Sequence, residues 1–324
     1  MSNRAQVQAD TSRLDALENG CGIVLWESAT VVQHTGPDAL DLLHRLTTNE
    51  LLSVTEGHAR RTVLTSDRGR VVDVFLVAHV SADQLLLISD SADPERTISA
   101  IDRYTIIEDA ELADLSDTHA RISLIGPGAA RVIESVPGVA VGSDVSRIAE
   151  FEDQSLTVVS DSSRGVVWFE IVLPNAVTEN FVRALENAGA VTADPASFDM
   201  YRINHGIPGS DREYGEHANP IESGLLDLID FDKGCYVGQE VIARLDAYDK
   251  VQRNLKVLES AGPLEAGMKL QFEAGSKLAG IVTSASPRET ASGHYLALGL
   301  VRKTFLATGT VLSAGPDLPN IKVR

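Results

Sequence analysis

The chain has 324 residues, 44% of them hydrophobic and only 5% aromatic, enough for about two domains with cores of Ala, Val, Leu and Ile and too apolar for a disordered chain. A formal net charge of −18 gives no electrostatic drive toward nucleic acid or anionic lipid, and no apolar run approaches the ~18 residues of a membrane helix. Two cysteines, Cys21 and Cys235, can form neither a disulfide framework nor the four-thiolate ligand set of an iron–sulfur cluster.

The polar start has no apolar signal core, so the expected compartment is the cytoplasm. The basic residues are unevenly spread. All seven lysines lie at or beyond Lys233; residues 1–230 carry 37 acidic and 16 basic groups, and residues 231–324 carry 9 and 12. The charge break near 231 suggests a compositional boundary. Scarce lysine and abundant Asp and Ala suit a salt-loving cytoplasm, where screening within about 3 Å at 1 M makes self-repulsion tolerable.

In chain order, QADTSRLDAL (8–17) reads as an amphipathic helix and VVQHTG (31–36) as a strand. Pro37 opens a helix with Leu40, Leu43 and Leu46 on one face. ARRTVLTS and RVVDVFLVAHV flank Asp67-Arg68-Gly69 as a hairpin, and QLLLIS (84–89) is a further strand. Pro94 starts a helix reaching about Tyr104, and TIIEDAELADLS follows as a strand and exit. From Arg121, RISLIG, the helix GAARVIESV, two strands near 154–160 and 165–173, and the helix NAVTENFVRALENAG repeat the order. Strand–helix alternation with antiparallel hairpins is α+β, of the split βαβ type. SFDMYRINHG is a helix ending at Gly206, and 207–234 is a long Gly-, Pro- and Ser-rich connection of the kind that carries function. From about 251, short alternating runs (VQRNLKVLE, KLQFEAG, KLAGIVTSASP, HYLALGLVRK, GTVLSAG) read as a small antiparallel barrel.

The densest cluster of chemistry is Asp232-Lys233-Gly234-Cys235-Tyr236-Val237-Gly238-Gln239-Glu240, continuing to Arg244. Lys233 and Arg244 would favour thiolate at Cys235. Gly234 and Gly238 let backbone approach a ligand, and a helix beginning at GQEVIARL would add positive potential. Cys235 and Lys233 are thus the catalytic candidates, and Cys21 reads as a packing residue. The eight histidines show no HxxxH or HExxH spacing, so no metal site is expected.

KGCYVGQE resembles the K-G-C-[YF]-x-G-Q-E signature of the YgfZ family of folate-binding proteins, which are linked to iron–sulfur assembly and repair. That family shares its fold with the aminomethyltransferase (T-protein) of the glycine cleavage system. GPDALDLLHRLTTNE, VLTSDRGRVVDVFLV and ANPIESGLLDLIDFDKGCYVGQE are similar to superfamily segments, so the resemblance covers most of the chain. It implies two ferredoxin-like (split βαβ) subdomains in residues 1–245, divided near 115, and a C-terminal β-barrel in 246–324. It also implies a central pocket for tetrahydrofolate or a one-carbon derivative and partners among iron–sulfur assembly or client proteins. The pocket candidates are Asp73, Asp90, Asn204, Glu222, Tyr236, Gly238, Gln239, Glu240 and Arg244.

The T-proteins lack the cysteine. Where they carry a pterin-binding glutamate this chain has Asn204, and Thr97 falls near the place of their aspartate by folate N5, with Asp90 or Asp93 as substitutes. The expected function is therefore a folate-binding accessory protein for iron–sulfur proteins. The alternatives are an aminomethyltransferase or related demethylase, and a non-catalytic module docking through its acidic N-terminal part.

Overall fold

The computed structural model describes residues 3–28, 30–139, 146–272, 277–315 and 320–324, with side chains described from residue 11 onward. It divides into two units. The first comprises Met1–Thr65, Val72–Ser197 and Asp227–Val237; the second comprises Ser66–Val71, Phe198–Leu226 and Gly238–Arg324.

The first unit holds two sheets. One has five strands in the order Ala59–Thr65, Val71–Ser81, Gln84–Ser89, Thr30–Thr35, Glu111–Asp114. The other has six, in the order Val191–Thr192, Gly22–Trp26, His119–Ile125, Trp168–Pro174, Gln154–Ser160, Ser146–Phe151. Side-chain alternation gives each sheet two buried faces. In the five-stranded sheet Val32, Phe75, Val77, Leu85 and Leu87 pack on Leu42, Leu43 and Leu46 of the helix Ala39–Leu46 and on Ile101 of the helix Pro94–Asp102. Their neighbours Val31, Leu76, Ala78, Leu86 and Ile88 turn the other way, onto Val159 and Val172 of the six-stranded sheet. The outer face of that second sheet (Ile122, Leu124, Phe169, Ile171, Leu173) packs on the helices Ala129–Glu134 and Thr178–Asn187 through Val132, Ile133, Phe181 and Leu185. Each fully buried Leu, Ile or Phe contributes about 1.5–3 kcal/mol.

A knot of charge also lies in this unit. Arg121 donates to both oxygens of Glu170 at 2.9 and 2.6 Å, to Ser89 O at 2.7 Å and to Asp90 at 2.8 Å. Arg164 donates to both oxygens of Asp90, at 2.8 and 2.9 Å, and to Asp161 at 3.2 Å; Arg61 donates to Asp161 at 3.0 and 2.7 Å. Ser123 Oγ and Trp168 Nε1 complete Glu170. The Arg121 and Arg164 guanidinium carbons lie 4.0 and 4.1 Å from the ring centroids of Trp26 and Trp168. Three cations thus neutralise three carboxylates, as burial demands.

The second unit holds one antiparallel sheet in the order Lys269–Phe272, Lys277–Ala285, Tyr295–Arg302, Arg253–Ser260, Ile321–Val323, Val311–Leu312. Reciprocal backbone bonds between Gln271 and Ser313, at 2.8 and 2.9 Å, join its two edges into the expected barrel. Leu258, Leu270, Val282, Val301 and Ile321 fill it. Arg202 donates to Glu213 at 3.0 Å and to Ser284 Oγ at 2.7 Å, and Ser284 donates to Glu213, so one buried ion pair ties the connecting segment to a barrel strand.

The α+β architecture and the C-terminal barrel follow the sequence reading. Three details differ. Gly22–Trp26, Ser146–Phe151, Val191–Thr192 and Ile321–Val323 are additional strands. TIIEDAELADLS is strand only over Glu111–Asp114, because one Glu108 oxygen accepts from the backbone N–H of both Ile106 and Ile107 and bends the chain there. The last three residues of KLQFEAG lie outside the described residues.

Removing one side of the knot leaves buried cations. Glu170→Ala is expected to cost about 3–5 kcal/mol, read as a fall of roughly 10 °C in the midpoint of thermal unfolding. A loss below about 1 kcal/mol contradicts the assigned burial.

Candidate functional site

The loop carrying Cys235 is pinned on both sides. Upstream, an Asp230 oxygen accepts from the backbone N–H of Asp232 and Lys233, at 2.8 and 3.1 Å, and Asp230 N donates to Thr48 O at 3.0 Å. Lys233 is buried. Its ammonium donates to His44 O, to Thr47 O at 2.7 Å and to Asn49 O at 2.9 Å, closing the C-terminal end of the helix Ala39–Leu46. A cation there also meets the negative end of the helix dipole. Burial pushes Lys233 down to about 8, against the pull of Glu50 and Asp230.

Downstream, Tyr236 is buried, with its ring centroid 5.4 Å from Lys233 Nζ, and burial raises its phenol to about 12. Thr65 Oγ1 donates to Val237 O. Gly238 then takes φ +83, a left-handed conformation that a side chain would strain, and caps the helix Gln239–Ala247. Between these anchors Cys235 is exposed. Gly234 beside it has open space where a Cβ would stand. All three N–H groups of Lys233 face carbonyl oxygens, so the lysine expected to activate the thiol instead braces the loop. Cys21 is buried, and burial drives its thiol up to about 11 despite Arg131.

A second group gathers around Asp73. Its Oδ1 accepts from Ser89 Oγ at 2.6 Å and from Val74 N at 2.7 Å, and its Oδ2 accepts from Thr97 Oγ1. All three side chains are buried. Burial raises Asp73 to about 6; the hydroxyls of Ser89 and Thr97, the Val74 amide and the more remote Arg96 oppose it without prevailing. The structure thus joins Asp73 and Thr97, two positions the sequence left apart. Asp90 behaves oppositely. Burial would raise it, but Arg164, Arg121 and Arg61 hold it far below the carboxylate range.

The other expected residues belong to the second unit. Asn204 is exposed at the end of the helix Pro195–Asn204. Glu222 is buried, with Arg253 at 3.4 Å and Arg70 at 3.7 Å, as an acid held within its loop. Gln239 is half-buried, and Glu240 and Arg244 are exposed on the helix they share.

A cavity of about 470 Å³ in the first unit is lined by Arg60, Arg61, Ser160 to Ser163 and Asp227 among others, and by none of the nine expected pocket residues. Sequence reading missed Arg61, Arg121, Asp161, Arg164 and Glu170. The available signal was a charge inside an otherwise apolar strand, as in RISLI and WFEIV.

A model of the GCVT N-terminal domain matches residues 4–233. The chain belongs to the GCVT family. Its relatives include "Putative transferase At1g60990, chloroplastic" of Arabidopsis thaliana, 27% identical over 316 residues (96% of this chain and 72% of the relative). An aminomethyltransferase of Thermotoga maritima is 28% identical over 280 residues, 83% of this chain and 75% of that one. The glycine cleavage system aminomethyltransferase T of Bartonella henselae superposes with a TM-score of 0.84 at 17% identity, covering 97% of this chain and 87% of that structure, a likeness of fold. Among the described residues of this GCVT-family chain no helix is long and apolar enough to cross a membrane. No group of three His, Cys, Asp or Glu side chains there could hold a metal ion.

Asp73 has a testable electrostatic signature. A carboxyl raised from 3.8 to about 6 on folding binds more protons folded than unfolded between those values, so stability falls as pH rises through that window. Asp73→Asn removes that loss. The variant is expected to be more stable than the parent at pH 7 by up to about 3 kcal/mol and equal to it near pH 4, measured by urea unfolding across pH. A less stable variant at pH 7 contradicts the raised carboxyl.

Proposed function

We propose that the chain is a tetrahydrofolate-binding accessory protein of the YgfZ type, which supports assembly or repair of iron–sulfur proteins through Cys235. The observation that carries this reading is the exposure of Cys235 on a loop held by Lys233, Tyr236 and Val237. A thiol so presented can reach a one-carbon species, a sulfur species or a partner protein. Lys233 acts by holding the loop. The resemblance to the YgfZ signature and membership of the GCVT family support the folate part.

The donor set fits a pterin in part. Asp73 keeps an acceptor position on Oδ2 beside Thr97 and is poised to exchange a proton near pH 6. Asp90 is closed by two arginines and offers a pterin no charge of its own. Tetrahydrofolate, when bound, supplies one-carbon chemistry; Asp73 with Thr97 would orient it, and Tyr236, Gly238, Gln239, Glu240, Arg244, Asn204 and Glu222 remain the further binding candidates. The acidic, lysine-poor composition suits a cytoplasm rich in salt.

A second reading has one observation in its favour, the buried acid Asp73, which an aminomethyltransferase could use. Purified protein, tetrahydrofolate and an aminomethylated carrier protein would then yield methylenetetrahydrofolate. The accessory reading expects none.

Cys235→Ala is expected to reduce cluster-dependent enzyme activities in cells to the level of a deletion strain, with the protein still folded and abundant. Activities equal to the parent's would remove the cysteine from the function.

A further inference from the structure

Two charged groups that line the first-unit cavity have no counterion among the described residues. Arg60 donates through Nη1 to Glu50 O at 2.6 Å and to Ser53 Oγ at 3.1 Å, which fixes the plane of the guanidinium. Its Nε and Nη2 meet no acceptor among the described residues, and no described carboxylate lies within 4.0 Å. Asp227, an exposed residue that also lines the cavity, likewise accepts no hydrogen bond and joins no ion pair among the described residues. Arg60 and Asp227 therefore do not satisfy one another. The remaining charges of the cavity, Arg61 and Asp161, are closed on each other at 2.7 Å. Hydroxyls of Ser160 and Ser162 add neutral donors and acceptors.

We propose that this cavity binds a zwitterion of amino-acid to dipeptide size. Its carboxylate meets the open edge of Arg60, and its ammonium meets Asp227. A guanidinium with two vacant N–H groups in a fixed plane matches a carboxylate bidentately, and a lone carboxylate selects an ammonium. One ligand that spans both must carry both charges. The volume, about 470 Å³, lies within the range of small-molecule sites. The neutral Arg61–Asp161 pair gives the cavity polarity without competing for either end. The lining of this site shares no residue with the proposed folate candidates.

The test is calorimetry with three probes, glycylglycine, glycylglycinamide (no carboxylate) and N-acetylglycylglycine (no ammonium), on the full chain and on Arg60→Gln and Asp227→Asn. Both residues lie outside the buried core, and circular dichroism checks that the variants are folded. The parent should prefer glycylglycine over each singly charged probe by at least about tenfold. Arg60→Gln should erase the preference over the amide and keep the other; Asp227→Asn should do the reverse. Binding of none of the probes, equal binding of all three, or unchanged preferences in the variants would overturn the proposal.

Discussion

The presentation of Cys235 depends on one buried ammonium. A lysine taken out of water must have its three donors satisfied. Lys233 finds all three acceptors where the helix Ala39–Leu46 ends, at the carbonyls of His44, Thr47 and Asn49. Each charge-assisted bond is worth about 1.5–3 kcal/mol and opposes the desolvation, which still lowers the lysine to about 8. The same contact gives the helix its C-terminal cation and fixes the loop. With Lys233 and Tyr236 turned inward, Cys235 between them is left outside.

The first unit also shows how one physical cost has opposite outcomes. Asp73, Asp90 and Asp161 are all buried, and burial works to raise all three. Asp90 and Asp161 lie against arginines and remain ionised. Asp73 has hydroxyls and an amide as its close partners, which stabilise its charge less, and its carboxyl moves up. The knot is thus structural and electrically closed, whereas Asp73 is the acid whose protonation changes near neutral pH. Hydrogen-bonded to Thr97, it is the acid on which the proposed pterin chemistry rests.

Much of this was legible in the sequence because it is local. Alternation marked the hairpins around Gly69, Pro94 marked a helix start, with Asp93 capping Arg96 N, and the short runs after 251 marked the barrel. The strand Ser146–Phe151 escaped because only Ser146 and Ala149 of its six residues are buried, leaving no alternation to see. What sequence could not give was partnership at a distance. Lys233 sits two residues from Cys235, which invited an electrostatic link, yet its partners lie 184 to 189 residues away. Arg121 and Glu170 each look anomalous alone in an apolar strand and become intelligible once neighbouring strands bring them together. Of the two cysteines, Cys21 is buried and Cys235 is exposed.

The central claim is that a braced, exposed Cys235 works together with a folate held by the same protein. Alkylation of the native chain by iodoacetamide, followed residue by residue during titration with tetrahydrofolate, tests it directly. The account predicts labelling of Cys235 with Cys21 untouched, at a rate that changes and saturates as folate is added. A Cys235 that resists labelling, or one that labels at a rate indifferent to folate, would contradict it.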